Sequence, residues 1–418
     1  MSHSNRSRLG RRCRGLAALT VPLLLMGAVA PVASAETSVS TTAPAALAGA
    51  RDARADVEAE LRRMVDAGAP GVAVTTIEDG SGWQAADGVG NLDDNTPMPE
   101  DGAFRAASIT KTMVAVAVLQ LVDDGSLALT DSLEELVPGL VPDAEQITVE
   151  QLLNHTAGLA DYTVTLTEQP PSEYGKRTFS PTELVQMGVA LGTVGAPGEA
   201  FHYSNTGYVL LGMIVETVTG RDLAEVLDTE VWSPSGMTDT TLPITDPRLP
   251  AGHPSGYFMQ DGQRQDVTEI NPSFAWAAYG AVSTAEDLHR FWAGLLSGGL
   301  LSPESTEALR ETVPTGHEFW PSYGLGIEEM ATTCGVELWG HTGSIPGYTT
   351  VSFATEDGRH QATVLINQQD TGPESALVTI GSMNIVNLEF CGVPYLDLSA
   401  RDSGAIDTGS GLRAMLER

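Results

Sequence analysis

Ser108 and Lys111 stand three positions apart in Phe104-Arg105-Ala106-Ala107-Ser108-Ile109-Thr110-Lys111-Thr112-Met113, where an apolar run over 113–122 begins. That run is too short for a membrane span and reads as a helix buried on most sides, stopped by Asp123-Asp124-Gly125. On a helix opening at Ser108, Lys111 lies one turn on along the same face. An amine held there in a dry site lowers the cost of a serine alkoxide, and the helix N-terminus favours the same negative charge. A capping serine followed by a surface lysine is the structural alternative. Against it, the chain has only two lysines, Lys111 and Lys176, among its 22 basic residues. A desolvated lysine can give up its proton; an arginine cannot.

Two further stretches carry polar groups suited to the same chemistry. In Phe201-His202-Tyr203-Ser204-Asn205-Thr206-Gly207-Tyr208 a phenol precedes a carboxamide by two positions, ahead of a helix expected over 209–218. Beside an ammonium, the Tyr203 phenol can exist partly as phenolate and act as a general base, while the Asn205 amide can hold a substrate carbonyl. An ordinary loop and helix cap is the alternative. In Trp339-Gly340-His341-Thr342-Gly343-Ser344 the glycines let another chain approach a strand edge closely. An extended substrate can pair with such an edge, and the Ser344 N–H can serve as an oxyanion donor. A lone strand-end histidine is more often structural.

Taken together, Ser108-x-x-Lys111, Tyr203-x-Asn205 and His341-Thr342-Gly343 resemble the motif set of the serine penicillin-recognising enzymes. The tyrosine in the second motif is similar to class C β-lactamases and serine D-alanyl-D-alanine carboxypeptidases. The histidine in the third resembles secreted carboxypeptidases and D-aminopeptidases. The resemblance runs over about 51–391 and includes Leu152-Leu153-Asn154-His155-Thr156-Ala157-Gly158-Leu159, Tyr323-Gly324-Leu325-Gly326 and a late cysteine pair.

This resemblance implies Ser108 as nucleophile, Lys111 as its activator, Tyr203 as proton shuttle to the leaving amine and Asn205 as orienter of the acyl side. It implies that His341 tunes the Tyr203 proton, with Thr342 and Gly343 on the substrate-binding strand. The N–H groups of Ser108 and Ser344 would form the oxyanion hole. Trp276, Tyr279 and Tyr162 are candidate acyl-pocket walls, each equally open to plain packing. His155 reads as loop structure. The activity implied is a penicillin-sensitive D-alanyl-D-alanine carboxypeptidase on cell-wall-type peptides or β-lactams. The alternatives are a class C-like β-lactamase, a D-aminopeptidase, amidase or esterase of the same fold, or a non-catalytic penicillin-binding module. One departure stands out. Where the resembled carboxypeptidases place an arginine that clamps the substrate carboxylate, this chain has Ile327-Glu328-Glu329-Met330, and acids there repel a carboxylate. Arg359, on a neighbouring hairpin, is the candidate substitute.

The elements that must position these groups are legible in outline. A charged helix is expected over 51–67, strands over 71–77 and 83–86, and a helical region with long loops over about 130–310. Helix starts are marked by capping-box spacing at Thr148, Ser180 and Ser283. Strands over 323–327 and 336–340, a hairpin of 348–355 with 361–366 around Glu356-Asp357-Gly358, and a helix over 374–390 complete the pattern. The expected fold is α/β (α+β): an antiparallel sheet built from both chain ends, flanked by helices, with an inserted all-helical lobe. A catalytic domain over 51–395 follows a flexible leader, 36–50, and precedes a tail, 396–418.

Compartment and partners follow from composition. Five arginines before residue 15, an apolar segment over 16–32 and Ala33-Ser34-Ala35 form a signal peptide cleaved after Ala35, so the chain is expected to be secreted, without a membrane anchor. The formal charge of -32 becomes more negative once that basic leader is removed, which disfavours nucleic acid and anionic lipid as partners. Cys334 and Cys391 then remain as an even pair suited to a disulfide, since neither has a second cysteine or histidine at metal-ligand spacing. No metal or other cofactor is expected, and a monomer is.

Overall fold

The computed structural model describes residues 43–260, 262–370 and 375–396. The expected signal peptide, most of the leader and the tail beyond 396 lie outside those residues. The first helix, Ala43–Asp66, begins inside the segment expected as leader.

Eight strands form one sheet, in the spatial order Ser81–Gly88, Gly71–Glu78, His360–Ile366, Tyr348–Thr355, Glu337–Ile345, Glu328–Ala331, Ser322–Tyr323 and Val313–Pro314. Every pairing is antiparallel. The sheet joins both ends of the chain: Val72 pairs with Ile366 and Val74 with Val364. Period-two alternation gives it two apolar faces. Val72, Val74, Val351, Phe353, Val364 and Ile366 pack on Val57, Leu61 and Met64 of the first helix and on Ile380, Met383 and Val386 of the last, Ser375–Cys391. The opposite face meets the helix Ala285–Leu296, whose Trp292 indole donates to Ser352 Oγ at 2.8 Å. The Thr363 hydroxyl lies 2.7 Å from Ser352 and 3.1 Å from His289 Nε2, so these hydroxyls are paired, whereas His289 Nδ1 has no partner among the described residues.

The helix carrying the nucleophile motif spans Ile109–Asp123 and is buried along its first eleven residues, Ile109 through Leu119. Its apolar residues form no single stripe because protein covers every side. Ala107, just before it, adopts a left-handed backbone (φ 52°), which is costly for a side chain with a Cβ. Several bonds impose it: Ala106 N–H donates to Ala281 O at 2.8 Å, Thr350 Oγ1 donates to Ala106 O, and Thr110 Oγ1 donates to Ala107 O at 2.7 Å.

The inserted region departs from expectation in two places. It is not all helical: a hairpin, Tyr257–Gln260 with Gln263–Asp266, pairs in parallel with Gln368–Asp370, and Val282–Ser283 pairs with Phe104–Arg105. The capping boxes at Thr148 and Ser180 form with both bonds present, but the third start is shifted by one. There Thr284, rather than Ser283, accepts the Asp287 N–H, while the Ser283 hydroxyl is buried against Thr240. Cys334 and Cys391 are bonded, tying the sheet to the last helix.

Gly343 is where the sheet meets the nucleophile turn most tightly. A Cβ there would stand 2.8 Å from Ala106 O, 2.9 Å from Ala107 Cβ and 2.4 Å from Thr350 Oγ1. Gly343→Ala is expected to lower unfolding free energy by about 1–3 kcal/mol, the usual cost of overpacking. Gly207→Ala, in the helix Asn205–Thr219 with its nearest neighbour at 3.5 Å, should stabilise by about 0.5–1 kcal/mol instead. Urea unfolding of the two variants checks the opposite signs.

Candidate active site

The three motifs converge on one cleft. Lys111 is fully buried and its Nζ reaches Ser108 Oγ at 3.0 Å, Asn205 Oδ1 at 2.7 Å and Ala278 O at 2.8 Å. Nζ also lies 4.8 Å from the centre of the Tyr203 ring. Burial pushes the Lys111 amine down to about 7, with Asp161 and Glu328 pulling back more weakly. An amine poised there can stand neutral. Its two N–H bonds then serve Asn205 and Ala278, and its lone pair faces the Ser108 hydroxyl.

Tyr203 reverses the expectation of a phenolate. Burial raises its phenol well above the ordinary range, outweighing the Ser108 hydroxyl, which favours the ionised form. Tyr203 therefore keeps its proton in the resting site, whereas Lys111 is the group there whose proton burial loosens.

Asn205 is committed on both sides. Its oxygen accepts from Lys111, and its Nδ2 donates to Asp161 Oδ2 at 2.8 Å. The amide thus orients the lysine rather than waiting for a substrate carbonyl. Asp161, which no motif marks, is fixed in turn by the Thr163 N–H at 2.9 Å.

His341 touches neither Ser108 nor Tyr203 by hydrogen bond. Its Nδ1 meets the Thr342 carbonyl, leaving Nε2 to accept from Tyr323 Oη at 3.0 Å. Its ring centre is 6.5 Å from that of Tyr203. Burial and the Lys111 charge take His341 down to about 3, so it is neutral and supports the Tyr323 wall. Glu328, expected as a repelling acid, is buried and doubly bonded: Thr342 N–H and Thr342 Oγ1 donate to it at 2.8 and 2.9 Å. Burial raises its carboxyl to about 7.

His155 belongs to the site, not only to its loop. Its ring lies 4.2 Å from Tyr203, 4.8 Å from Tyr323 and 5.2 Å from Tyr208. Its Nδ1 accepts the Ser204 N–H at 3.1 Å, and its carbonyl accepts the His202 N–H. A left-handed backbone (φ 60°) turns it inward, and burial keeps it neutral, well below the usual imidazole range. It sets the backbone next to Tyr203 and the plane of the phenol together.

The cleft encloses about 800 Å³. Ser108, Tyr203, Asn205, Tyr279, Tyr323, Glu328 and Thr342–Ser344 line one part, and Thr163, Leu166 and Gln169 another. Trp276 does not line it. Its ring packs on the helix Asn205–Thr219, where a Cβ on Gly212 would come within 3.0 Å. Tyr162 is likewise turned away, its hydroxyl donating to Phe274 O. Arg359 pairs with Asp79 at 2.7 Å on the exposed hairpin and does not line the cleft. No group of acidic, histidine or cysteine side chains suited to a metal ion occurs among the described residues.

Ser108 and Ser344, the expected oxyanion donors, both line the cleft. The Ser108 N–H donates to no backbone carbonyl among the described residues. The strand Glu337–Ile345 loses its neighbour Glu328–Ala331 beyond the Gly340–Glu328 pair, so one edge is open from His341 onward. Thr342 N–H points to that edge, since it bonds Glu328, and strand alternation sends Ser344 N–H the same way.

The family model described as Beta-lactamase matches residues 54–380. The chain belongs to the β-lactamase family. A D-stereospecific amidohydrolase from Streptomyces sp. shares 32% identity and superposes with a TM-score of 0.74, over 81% of this chain and 99% of that one. D-amino acid amidase from Ochrobactrum anthropi shares 28% identity at a TM-score of 0.73, over 81% and 97%. Penicillin-binding protein 4 of Amycolatopsis lactamdurans is 29% identical across 66% of this chain and 75% of its own. This β-lactamase-family member has the fold of serine hydrolases.

Deprotonation of Lys111 sets the pH response. Its lowered pKa means the neutral base is lost as pH falls, so kcat/KM should rise with pH through about 7 and then level. Lys111→Arg, unable to release a proton, should lose about 10²–10⁴-fold in acylation rate. His155→Phe keeps a ring beneath Tyr203 but removes the Ser204 acceptor. It should lower kcat about tenfold or more with KM nearly unchanged, a split that stopped-flow acylation resolves.

Proposed function

We propose that this protein is an exported serine hydrolase that forms an acyl-enzyme at Ser108 from amides or esters of D-configured acyl groups. The contact that carries this reading is Lys111 Nζ on Ser108 Oγ at 3.0 Å, in a site dry enough to bring the amine to about 7. As Ser108 Oγ attacks the acyl carbon, its proton passes to Lys111. The oxyanion faces the Ser108 and Ser344 N–H groups. The Tyr203 phenol protonates the leaving atom and recovers its proton from the Lys111 ammonium. Water then repeats the sequence on the ester, with the same groups in reverse.

The D-configuration rests on the relatives: one is a D-stereospecific amidohydrolase, another a D-amino acid amidase. Between carboxypeptidase and amidase, we favour the amidase. A substrate ending in D-alanine must seat the free carboxylate of its leaving group in the cleft, and among the described residues that line it there is no arginine or lysine. Export rests on the leader, with its basic start, apolar centre and small residues before Glu36.

A fluorescent penicillin should add covalently to the protein and not to Ser108→Ala, as read by gel fluorescence and intact mass. D-phenylalaninamide should be hydrolysed at least about tenfold faster than its L-isomer, in keeping with discrimination by a preformed pocket. Absence of both adduct and turnover would leave a binding module, and rapid penicillin turnover would make the protein a β-lactamase.

A further inference from the structure

The open edge beside Ser108 is not left bare. Glu328 is the last residue of its strand to pair, opposite Gly340, and its backbone then turns away to Gly326, whose carbonyl accepts from Thr112 Oγ1. The Glu328 side chain continues where the backbone stops. Its two carboxylate oxygens take the N–H and the hydroxyl of Thr342, the next outward-facing position on the edge. His341 Nδ1 lies 3.4 Å from the same carboxylate. Only the Ser344 N–H remains beyond it.

A leaving atom must meet the Tyr203 phenol to be protonated. That phenol sits on the side of the cleft formed by Tyr323, His341 and Glu328, since its ring centre lies 6.3 Å from that of Tyr323 and 6.5 Å from that of His341. The group attached to the leaving atom therefore comes against Thr342 and Glu328, both of which line the cleft. Both donors that Thr342 could offer a substrate anion are already taken by an anion of the protein itself. No cationic side chain lines the cleft among the described residues to offset a second negative charge.

We infer that Glu328 is the specificity-determining residue of the leaving-group side, and that it selects amides, esters and peptide bonds whose leaving group carries no carboxylate. A simple amide, an ester or an internal peptide bond fits. A C-terminal amino acid brings its carboxylate against Glu328 and is turned away. This inference deepens the acyl-enzyme reading and rests on it for the catalytic arm of its test. The binding arm does not.

The test uses one matched pair, N-acetyl-D-alanyl-D-alaninamide and N-acetyl-D-alanyl-D-alanine, assayed near pH 8.5, above the value of about 7 to which burial brings Glu328, so that it is ionised. The full chain should prefer the amide in kcat/KM by on the order of 100-fold, as expected for two like charges meeting in a partly desolvated cleft. Glu328→Gln, which keeps the shape and an oxygen for Thr342, should reduce that ratio to within about fivefold, mainly through faster cleavage of the acid. Loss of folding alone would depress both substrates together and leave the ratio unmoved. In the Ser108→Ala background, calorimetry with the same pair should show the amide binding more tightly, and Glu328→Gln should erase the difference. A ratio unchanged by Glu328→Gln in binding would overturn the inference, even if no turnover were seen. Turnover absent with the binding difference intact would instead strike the acyl-enzyme reading alone.

Discussion

The site depends on keeping one amine dry. Lys111 sits on a helix buried along its first eleven residues, and it is there that the desolvation of its nitrogen originates. In water the same side chain would hold its proton until far above neutral pH and could not accept one from a serine. The helix Asn205–Thr219 and the short helix Trp276–Tyr279 each bring one hydrogen bond to that nitrogen, from Asn205 and from the Ala278 carbonyl. The strained Ala107 backbone belongs to the same arrangement, because it turns Ser108 back over the lysine while the chain enters the helix.

Around this centre lie ionisable groups whose charges are held apart. Tyr203 and Tyr323 keep their protons, His341 and His155 stay neutral, and Glu328 is drawn up toward neutrality. Burial is the leading cause in every case. A site built this way rests largely neutral, and only Lys111 and Glu328 are brought to about 7, where a proton is exchanged at little cost.

Much of this was legible in the sequence, for physical reasons that differ by element. The hairpin of Tyr348–Thr355 with His360–Ile366 declared itself through alternation and an Asp-Gly turn. The helix Ile109–Asp123 did so through a nearly unbroken apolar run. Glu328–Ala331 was not legible as a strand, because Gly324 and Gly326 break the expected one early and only the register with Glu337–Ile345 restores pairing. The hairpin Tyr257–Gln260 with Gln263–Asp266 is polar and owes its existence to a remote partner, Gln368–Asp370. Within the site, spacing brought out Ser108, Lys111, Tyr203 and Asn205, since their types are chemically unusual together. Asp161 carried no such mark, and His155 stood in a stretch that read as loop structure. Their contribution lies in what they hold in place, which a linear chain does not display, and the same blindness made Trp276 look like a pocket wall.

Pairing between Gly71–Glu78 and His360–Ile366 has a consequence for how this protein comes into being. These two neighbouring strands lie nearly three hundred residues apart in the chain, so a ribosome must deliver everything between them before they can meet. The partners of the Lys111 nitrogen, Asn205 and Ala278, are likewise remote in the chain, so its dry setting waits on tertiary folding. On the reading proposed above, Lys111 stays solvated and protonated in the nascent chain, and Ser108 gains its base only once these remote segments have met.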